Sequence, residues 1–406
     1  MTKTNELRIY SSEEHHIRNH LIDPNALFVI ESLQKAGHTA YLVGGSVRDL
    51  LMNKKPKDYD VSTSARPEEI KKLFRRQCIL VGRRFLLAHV RFGRFVVEVA
   101  TFRSGDPQGE ELITMDNMWG SPKEDVLRRD FTINGLCYDP KLHEIIDYVG
   151  GFEDLQKHLL RSIGNPEARF RQDPVRMIRF QKFRARFGFQ AEEKAVEALY
   201  NCRNEIIKSS PARVLEEIFR MLESGAAEPF FRLLTESELL KILFPMLESY
   251  FHQEIGEVIY SYLKAADSIN QKGEEESLDR CLLTACIIFP ILEAEISRKF
   301  IEKKTLPHLG QIIDLCAELI HTLLFSAFSH FPRRIRQEAQ ALCQLQYRLT
   351  PLDPKKRVRT RIAKQRDFAK ALSFLKLRTL IDHRLFKPYS FWKQSFNEFF
   401  EKHQES

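Results

Sequence analysis

Leu42-Val43-Gly44-Gly45-Ser46-Val47-Arg48-Asp49, followed by Asp58-Tyr59-Asp60-Val61, is the stretch that decides the fold. The short apolar run Tyr41-Leu42-Val43 reads as a buried strand, the glycines as a tight turn, and the residues from Ser46 to about Met52 as a helix. Asp58 to Val61 reads as a second strand, on which residues two apart share a face, so Asp58 and Asp60 converge. Convergent carboxylates are the hard oxygen ligands that a divalent cation such as magnesium prefers. The paired glycines Gly44 and Gly45 let the backbone approach a ligand, the helix amino end at Ser46 supplies N–H donors, and Arg48 adds a cation. Together they suit a triphosphate.

Working outward, Asp23-Pro24 starts a helix and Gly37 stops it. Ile79-Leu80-Val81 and Ala88 to Phe92 read as strands around Gly82-Arg83-Arg84, and Arg94 to Phe102 alternates like another. Residues 105 to 124 show no clean period and read as a long loop. From about residue 153 strand signals fade and helical spacing takes over, as in Val214, Ile218, Met221 and Leu222, with punctuation near Pro211, Pro245, Pro290, Pro332 and Pro351 to Pro354. The fold class expected is α+β: an N-terminal head with a mixed β-sheet over residues 20–150, then an all-α neck (151–225), body (226–330) and tail (331–406).

Composition excludes several classes. The 406 residues are 43% apolar and 29% charged, as in a folded globular chain. No run approaches the ~18 apolar residues of a membrane span, and the polar start from Met1 to His20 lacks a signal-peptide core, so a cytoplasmic protein with no membrane partner is expected. The seven cysteines are scattered and never spaced as CxxC, which predicts buried small side chains rather than disulfides or zinc. Residues 331–406 hold 18 Lys/Arg against 7 Asp/Glu, a net +11, while the rest of the chain carries −3. The basic run Lys355, Lys356, Arg357, Arg359 and Arg361 could face a polyanion.

The glycine turn and Asp58-Tyr59-Asp60 resemble the signature of class II nucleotidyltransferases of the polymerase-beta superfamily, the group that contains tRNA CCA-adding enzymes and bacterial poly(A) polymerases. Arg128-Arg129-Asp130-Phe131-Thr132-Ile133-Asn134 is similar to the second motif of that family, Asp147 to Asp154 with Gly150-Gly151 to the third, and Gly164-Asn165-Pro166 with Asp173-Pro174-Val175-Arg176 to a fourth. Leu80 to Val90, Pro211 to Glu217, Leu243-Phe244-Pro245 and Phe331 to Ile335 resemble the bacterial poly(A) polymerase branch. Gln172 and Lys182 depart from the pattern, which usually has Glu and Arg there.

The resemblance implies nucleotidyl transfer with Asp58 and Asp60 holding two Mg²⁺ ions, Mn²⁺ being an alternative, and with Asp130 in the active site. Arg129 would meet phosphate. Asn134, four residues from Asp130 on an expected helix face, would reach the ribose region. Asp173 and Arg176, three apart on an expected helix, would read an amino group beside a ring nitrogen, the edge shared by adenine and cytosine, with Arg179 continuing that face. Glu98 is either a further metal ligand or a solvent-facing acid. The expected activity is template-independent addition of AMP from ATP to an RNA 3′ end. CCA addition to tRNA and a catalytically silent RNA-binding scaffold are the rivals.

Overall fold

The computed structural model describes residues 7–82, 86–105, 118–273, 277–353 and 360–404, with side chains up to residue 398. They divide into two units, one within Met1–Arg176 and Gly188–Cys202, the other within Met177–Phe187 and Arg203–Ser406.

The first unit is built on strands β1 (Arg8–Tyr10), β2 (Ala40–Val43), β3 (Asp60–Thr63), β4 (Cys78–Val81), β5 (Leu87–Phe92), β6 (Phe95–Thr101), β7 (Leu136–Asp139) and β8 (Glu144–Asp147). They form one sheet in the order β1-β8-β7-β2-β3-β6-β5-β4. Every neighbouring pair is antiparallel except β3 with β6, so the mixed sheet is as expected. Helix α1 (Pro24–Lys35) starts where Asp23 caps it, its carboxylate accepting from the Asn25 N–H, and Gly37 follows its end at φ +89°. Helices α2 (Gly45–Leu51), α3 (Pro67–Phe74), α4 (Pro122–Leu127), α5 (Gly151–Gln156) and α6 (Pro166–Gln172) complete the surroundings of the site.

Strand β1 lies in the polar N-terminal stretch that gave no strand signal, because an edge strand with exposed Arg8 and Ile9 needs little apolar alternation. Directly opposed residues share a face of a sheet, and one such row runs Cys137, Val43, Asp60, Glu98, His89. Its apolar end packs with Val126, Ile146, Val149 and Ile163 in a buried cluster. The acidic end is exposed.

The second unit is helical. Val214, Ile218, Met221 and Leu222 are all buried on the helix Pro211–Leu222, as their spacing predicts. Pro290 is a correction: it does not end a helix but sits inside Arg280–Ile296, where the residues around it are buried on every side and packing outweighs the lost hydrogen bond. All seven cysteines are buried thiols. No helix among the described residues is long and apolar enough to cross a membrane. Arg83 and Arg84, and residues 106–117 of the expected loop, lie outside the described residues.

Candidate active site

Strand β2 ends at Val43 and the chain reverses through Gly44, at φ +70°. The Gly44 N–H donates to the Leu136 carbonyl at 3.1 Å, and the Ser46 hydroxyl donates back to the Val43 carbonyl at 3.0 Å. A Cβ at Gly44 would stand 2.9 Å from Nη1 of Arg129. Arg48 is buried; its Nε and Nη2 donate to Asp49 Oδ1 (2.9 and 2.7 Å) and its Nη1 to Asn134 Oδ1 (2.5 Å). Its guanidinium thus ties the glycine turn to Asn134 rather than opening toward solvent.

The second strand begins two residues later than the sequence suggests. Asp60 opens β3, and Asp58 lies in the bend before it, so strand alternation does not align the pair. Pro56, which has no N–H to give a ladder, keeps the strand from starting earlier. The partner that alternation does align with Asp60 is Glu98, opposite it on β6, and Glu98 Oε1 is 3.5 Å from His89 Nε2 on β5. Solvent reaches Asp60 from one side while protein crowds it from the others; this desolvation, then the charges of Glu98 and Asp58, push its carboxyl up to about 6, against the pull of Arg129. Mutually repelling oxygen donors are a set that a hard dication relieves, so these residues fit a divalent metal.

Asp130 and Asn134 do meet, but a 3-10 turn (Thr132–Asn134) rather than an α-helix face brings them together, because Gly135 ends the turn at once. Asn134 Nδ2 donates to Asp130 Oδ1 at 3.0 Å, extending the chain from Arg48. Arg129 donates from Nη2 to Asp125 Oδ2 (3.0 Å) and to the Ser62 hydroxyl (3.2 Å). Burial works against its charge, but Asp125, Cys137 and Asp60 together outweigh it and the pKa stays raised. The third motif closes behind: buried Asp147 accepts the N–H groups of Val149, Gly150, Gly151 and Phe152 at 2.8–3.1 Å. A Cβ at Gly151 would fall 2.1 Å from the Thr132 carbonyl oxygen, so only glycine lets the two motifs touch.

Asp173 is a second correction. It caps the end of α6 with extended backbone and precedes α7 (Val175–Phe187), because Pro174 bars its residue from the helix; the Arg176 N–H still reaches its carbonyl at 2.9 Å. Arg176 is buried, donating to the carbonyls of Arg128 (2.9 Å) and Arg169 (3.3 Å). Arg179 belongs to the second unit, its Nε 3.8 Å from Glu217 Oε1, and Lys182 Nζ is 2.6 Å from Glu217 Oε2. Arg361 is exposed, whereas Lys355, Lys356, Arg357 and Arg359 lie outside the described residues.

Sequence reading missed Asp125 and Arg169. Both are buried charges, which the sequence does not distinguish from surface ones. Another gathering of metal-type ligands, Asp279, Cys281 and Glu338 in the second unit, is bridged by the Lys370 ammonium, 2.6 Å from Asp279 and 2.5 Å from Glu338. Ion pairing accounts for it.

A family model described as the poly A polymerase head domain matches residues 40–161, and one described as a probable RNA and SrmB-binding site of polymerase A matches residues 188–251. Poly(A) polymerase I of Salmonella typhi is 36% identical over 396 residues, 93% of this chain and 83% of that protein. The CCA-adding enzyme of Lactobacillus helveticus is 39% identical over 220 residues, 53% of each chain. The CCA-adding enzyme of Bacillus stearothermophilus in complex with CTP shares the fold, with a TM-score of 0.67 at 23% identity over 93% of this chain and 83% of that one. Similarity to the poly(A) polymerases thus runs on through the helical unit, where sequence likeness to the CCA-adding enzyme of Lactobacillus helveticus covers about half the chain, and the chain belongs to the poly(A) polymerase I family of nucleotidyltransferases.

Proposed function

We propose that this chain is a template-independent polynucleotide adenylyltransferase, acting on ATP and the 3′ end of RNA in the cytoplasm, where both substrates are made. In the reaction the 3′-hydroxyl of the RNA gives up its proton to solvent and its oxygen bonds to the α-phosphorus of ATP, the bond from that phosphorus to the bridging oxygen breaks, and pyrophosphate leaves with the electron pair. The observation that carries the reading is the acidic row beside the glycine turn: Asp60 opposite Glu98, with Asp58 close enough to raise the Asp60 pKa.

Asp58 and Asp60 would hold two Mg²⁺ ions, with Mn²⁺ as an alternative; bound there, they would neutralise the triphosphate and acidify the 3′-hydroxyl. Gly44, Gly45 and Ser46 present backbone at the phosphates, and Arg129 beneath Gly44 supplies fixed positive charge. Arg48 and Asn134 hold Asp130 in place. Asp173 as acceptor and Arg176 as donor match the amino group and ring nitrogen of adenine and oppose guanine and uracil, and Arg179 extends the same segment. Residues 20–150 would perform transfer, the neck 151–225 would read the base, and the body 226–330 would support the basic tail 331–406. In that tail Lys355, Lys356, Arg357, Arg359 and Arg361 would hold RNA phosphates with little sequence preference.

The test is nucleotide choice. Purified protein is given unstructured RNA, and separately tRNA lacking its terminal nucleotides, with ATP or CTP alone. Long AMP tails on unstructured RNA are expected; efficient ordered CTP addition to the tRNA would replace this reading with CCA addition.

A further inference from the structure

Arg169 is only 1% exposed, yet the acceptors it reaches are carbonyl and amide oxygens rather than carboxylates. Its Nη2 donates to the carbonyl oxygens of Arg128 at 2.6 Å and Arg129 at 2.7 Å, and lies 3.5 Å from that of Leu127. Its Nη1 donates to the side-chain oxygen of Gln172 at 2.7 Å. Burial and the like charge of Arg176 lower its pKa to about 9, Asp130 and Asp173 acting in the opposite sense. Two buried guanidiniums side by side are costly, and the carbonyl oxygens they grip offset part of that cost.

What the pair shares is one atom. The Arg128 carbonyl oxygen accepts from Arg169 Nη2 and from Arg176 Nη2, and Arg176 also donates to the carbonyl of Arg169 itself. A rigid guanidinium fork therefore fixes the carbonyl against which the second fork is seated. The same two residues, Arg128 and Arg129, lead directly into Asp130, so the segment that carries the active-site acid and the arginine proposed to read the base are braced by one side chain. Gln172, where Glu is usual in related sequences, supplies Arg169 with an acceptor but no charge.

We infer that Arg169 is a positioning residue for nucleobase selection: by clasping the carbonyls of Arg128 and Arg129 it holds Arg176 in the single orientation that distinguishes adenine from guanine and uracil. This deepens the adenylyltransferase reading and rests on it. Selection then depends on a residue that touches no base.

The experiment measures single-nucleotide addition to an RNA primer, as kcat/KM for ATP, CTP, GTP and UTP, in Arg169→Lys, Gln172→Leu, Gln172→Glu and Asp173→Asn. Arg169→Lys keeps the charge and loses the fork; it is expected to reduce the ATP-over-GTP preference at least about tenfold, chiefly through KM for ATP. Gln172→Leu removes only the Nη1 acceptor and is expected to reduce that preference about two- to fivefold, while Gln172→Glu, which keeps the acceptor, retains it. If Arg169→Lys slows all four nucleotides equally, Arg169 merely braces the Asp130 segment and the inference falls. Should Arg169→Lys fail to fold, as judged by thermal unfolding, Gln172→Leu decides, and unchanged preference overturns the inference. Asp173→Asn separates the two levels: preference unmoved there sinks the base-pocket reading itself, whereas preference moved by Asp173→Asn but not by the Arg169 and Gln172 variants sinks only the role of Arg169.

Discussion

Asp60 and Glu98 face each other across β3 and β6, the parallel pair in an otherwise antiparallel sheet, and His89 stands next in the same row. Desolvation first, and repulsion from Glu98 after it, raise the Asp60 pKa to about 6. A carboxyl raised from 3.8 in the unfolded chain destabilises the fold once the pH exceeds that value, and the penalty is complete above about 6. Asp60→Asn is therefore expected to raise the melting temperature at pH 7.5, with the gain shrinking as pH falls through 6 and vanishing below 3.8. Thermal unfolding across that range checks it. The same variant, like Asp58→Ala, should abolish ATP incorporation while sparing RNA binding; persistent incorporation would refute the metal assignment.

Protons and metal compete for that row. The Mg²⁺ concentration giving half-maximal activity should rise steeply as the pH drops from 7 to 5.5, and a flat response in a metal titration at several pH values would argue against Asp60 as a ligand.

Gly44→Ala places a Cβ 2.9 Å from Arg129 Nη1 on a backbone at φ +70°. About 1–3 kcal/mol of destabilisation is expected by denaturant titration, with a fall in kcat of at least about tenfold as Arg129 moves. Gly45→Ala meets Arg48 Nη2 at 3.4 Å with ordinary backbone and should cost much less.

Asp147 is fully buried and takes four backbone N–H donors. Asp147→Ala leaves those donors unsatisfied and should cost about 3–5 kcal/mol, read from urea unfolding; Asp147→Asn keeps one carbonyl oxygen and should cost less.

Neutralising Lys355, Lys356, Arg357, Arg359 and Arg361 together should weaken RNA binding and flatten its dependence on salt, by up to about 0.7 per cation in the logarithmic slope for single strands. Unchanged binding across a salt series would place the RNA elsewhere.

The glycine turn, the capped α1 and the helical spacing of Val214 to Leu222 were legible because each is local: φ, caps and periodicity are written within a few residues. Asp60 is singled out by the sequence but matched there with Asp58 by alternation, whereas its aligned neighbour is Glu98, since parallel register depends on a crossover that local pattern does not encode. Asp130 and Asn134 do meet as their spacing suggests, but through a 3-10 turn rather than a helix face, while Asp173 and Arg176 are joined by a backbone hydrogen bond across a proline corner rather than set side by side on one helix. Arg169 and Asp125 were invisible for a different reason. Their partners are backbone groups, arginines and the Gln172 amide, whose orientation exists only in the folded state, and a charged letter gives no sign of burial.

Because Arg169 grips carbonyls some forty positions earlier in the chain, the Arg128–Asp130 segment gains this last brace only after much later residues have been synthesised. A nascent polypeptide still on the ribosome would thus carry Asp58, Asp60 and Asp130 before the clasp that joins Asp130's segment to Arg176 exists.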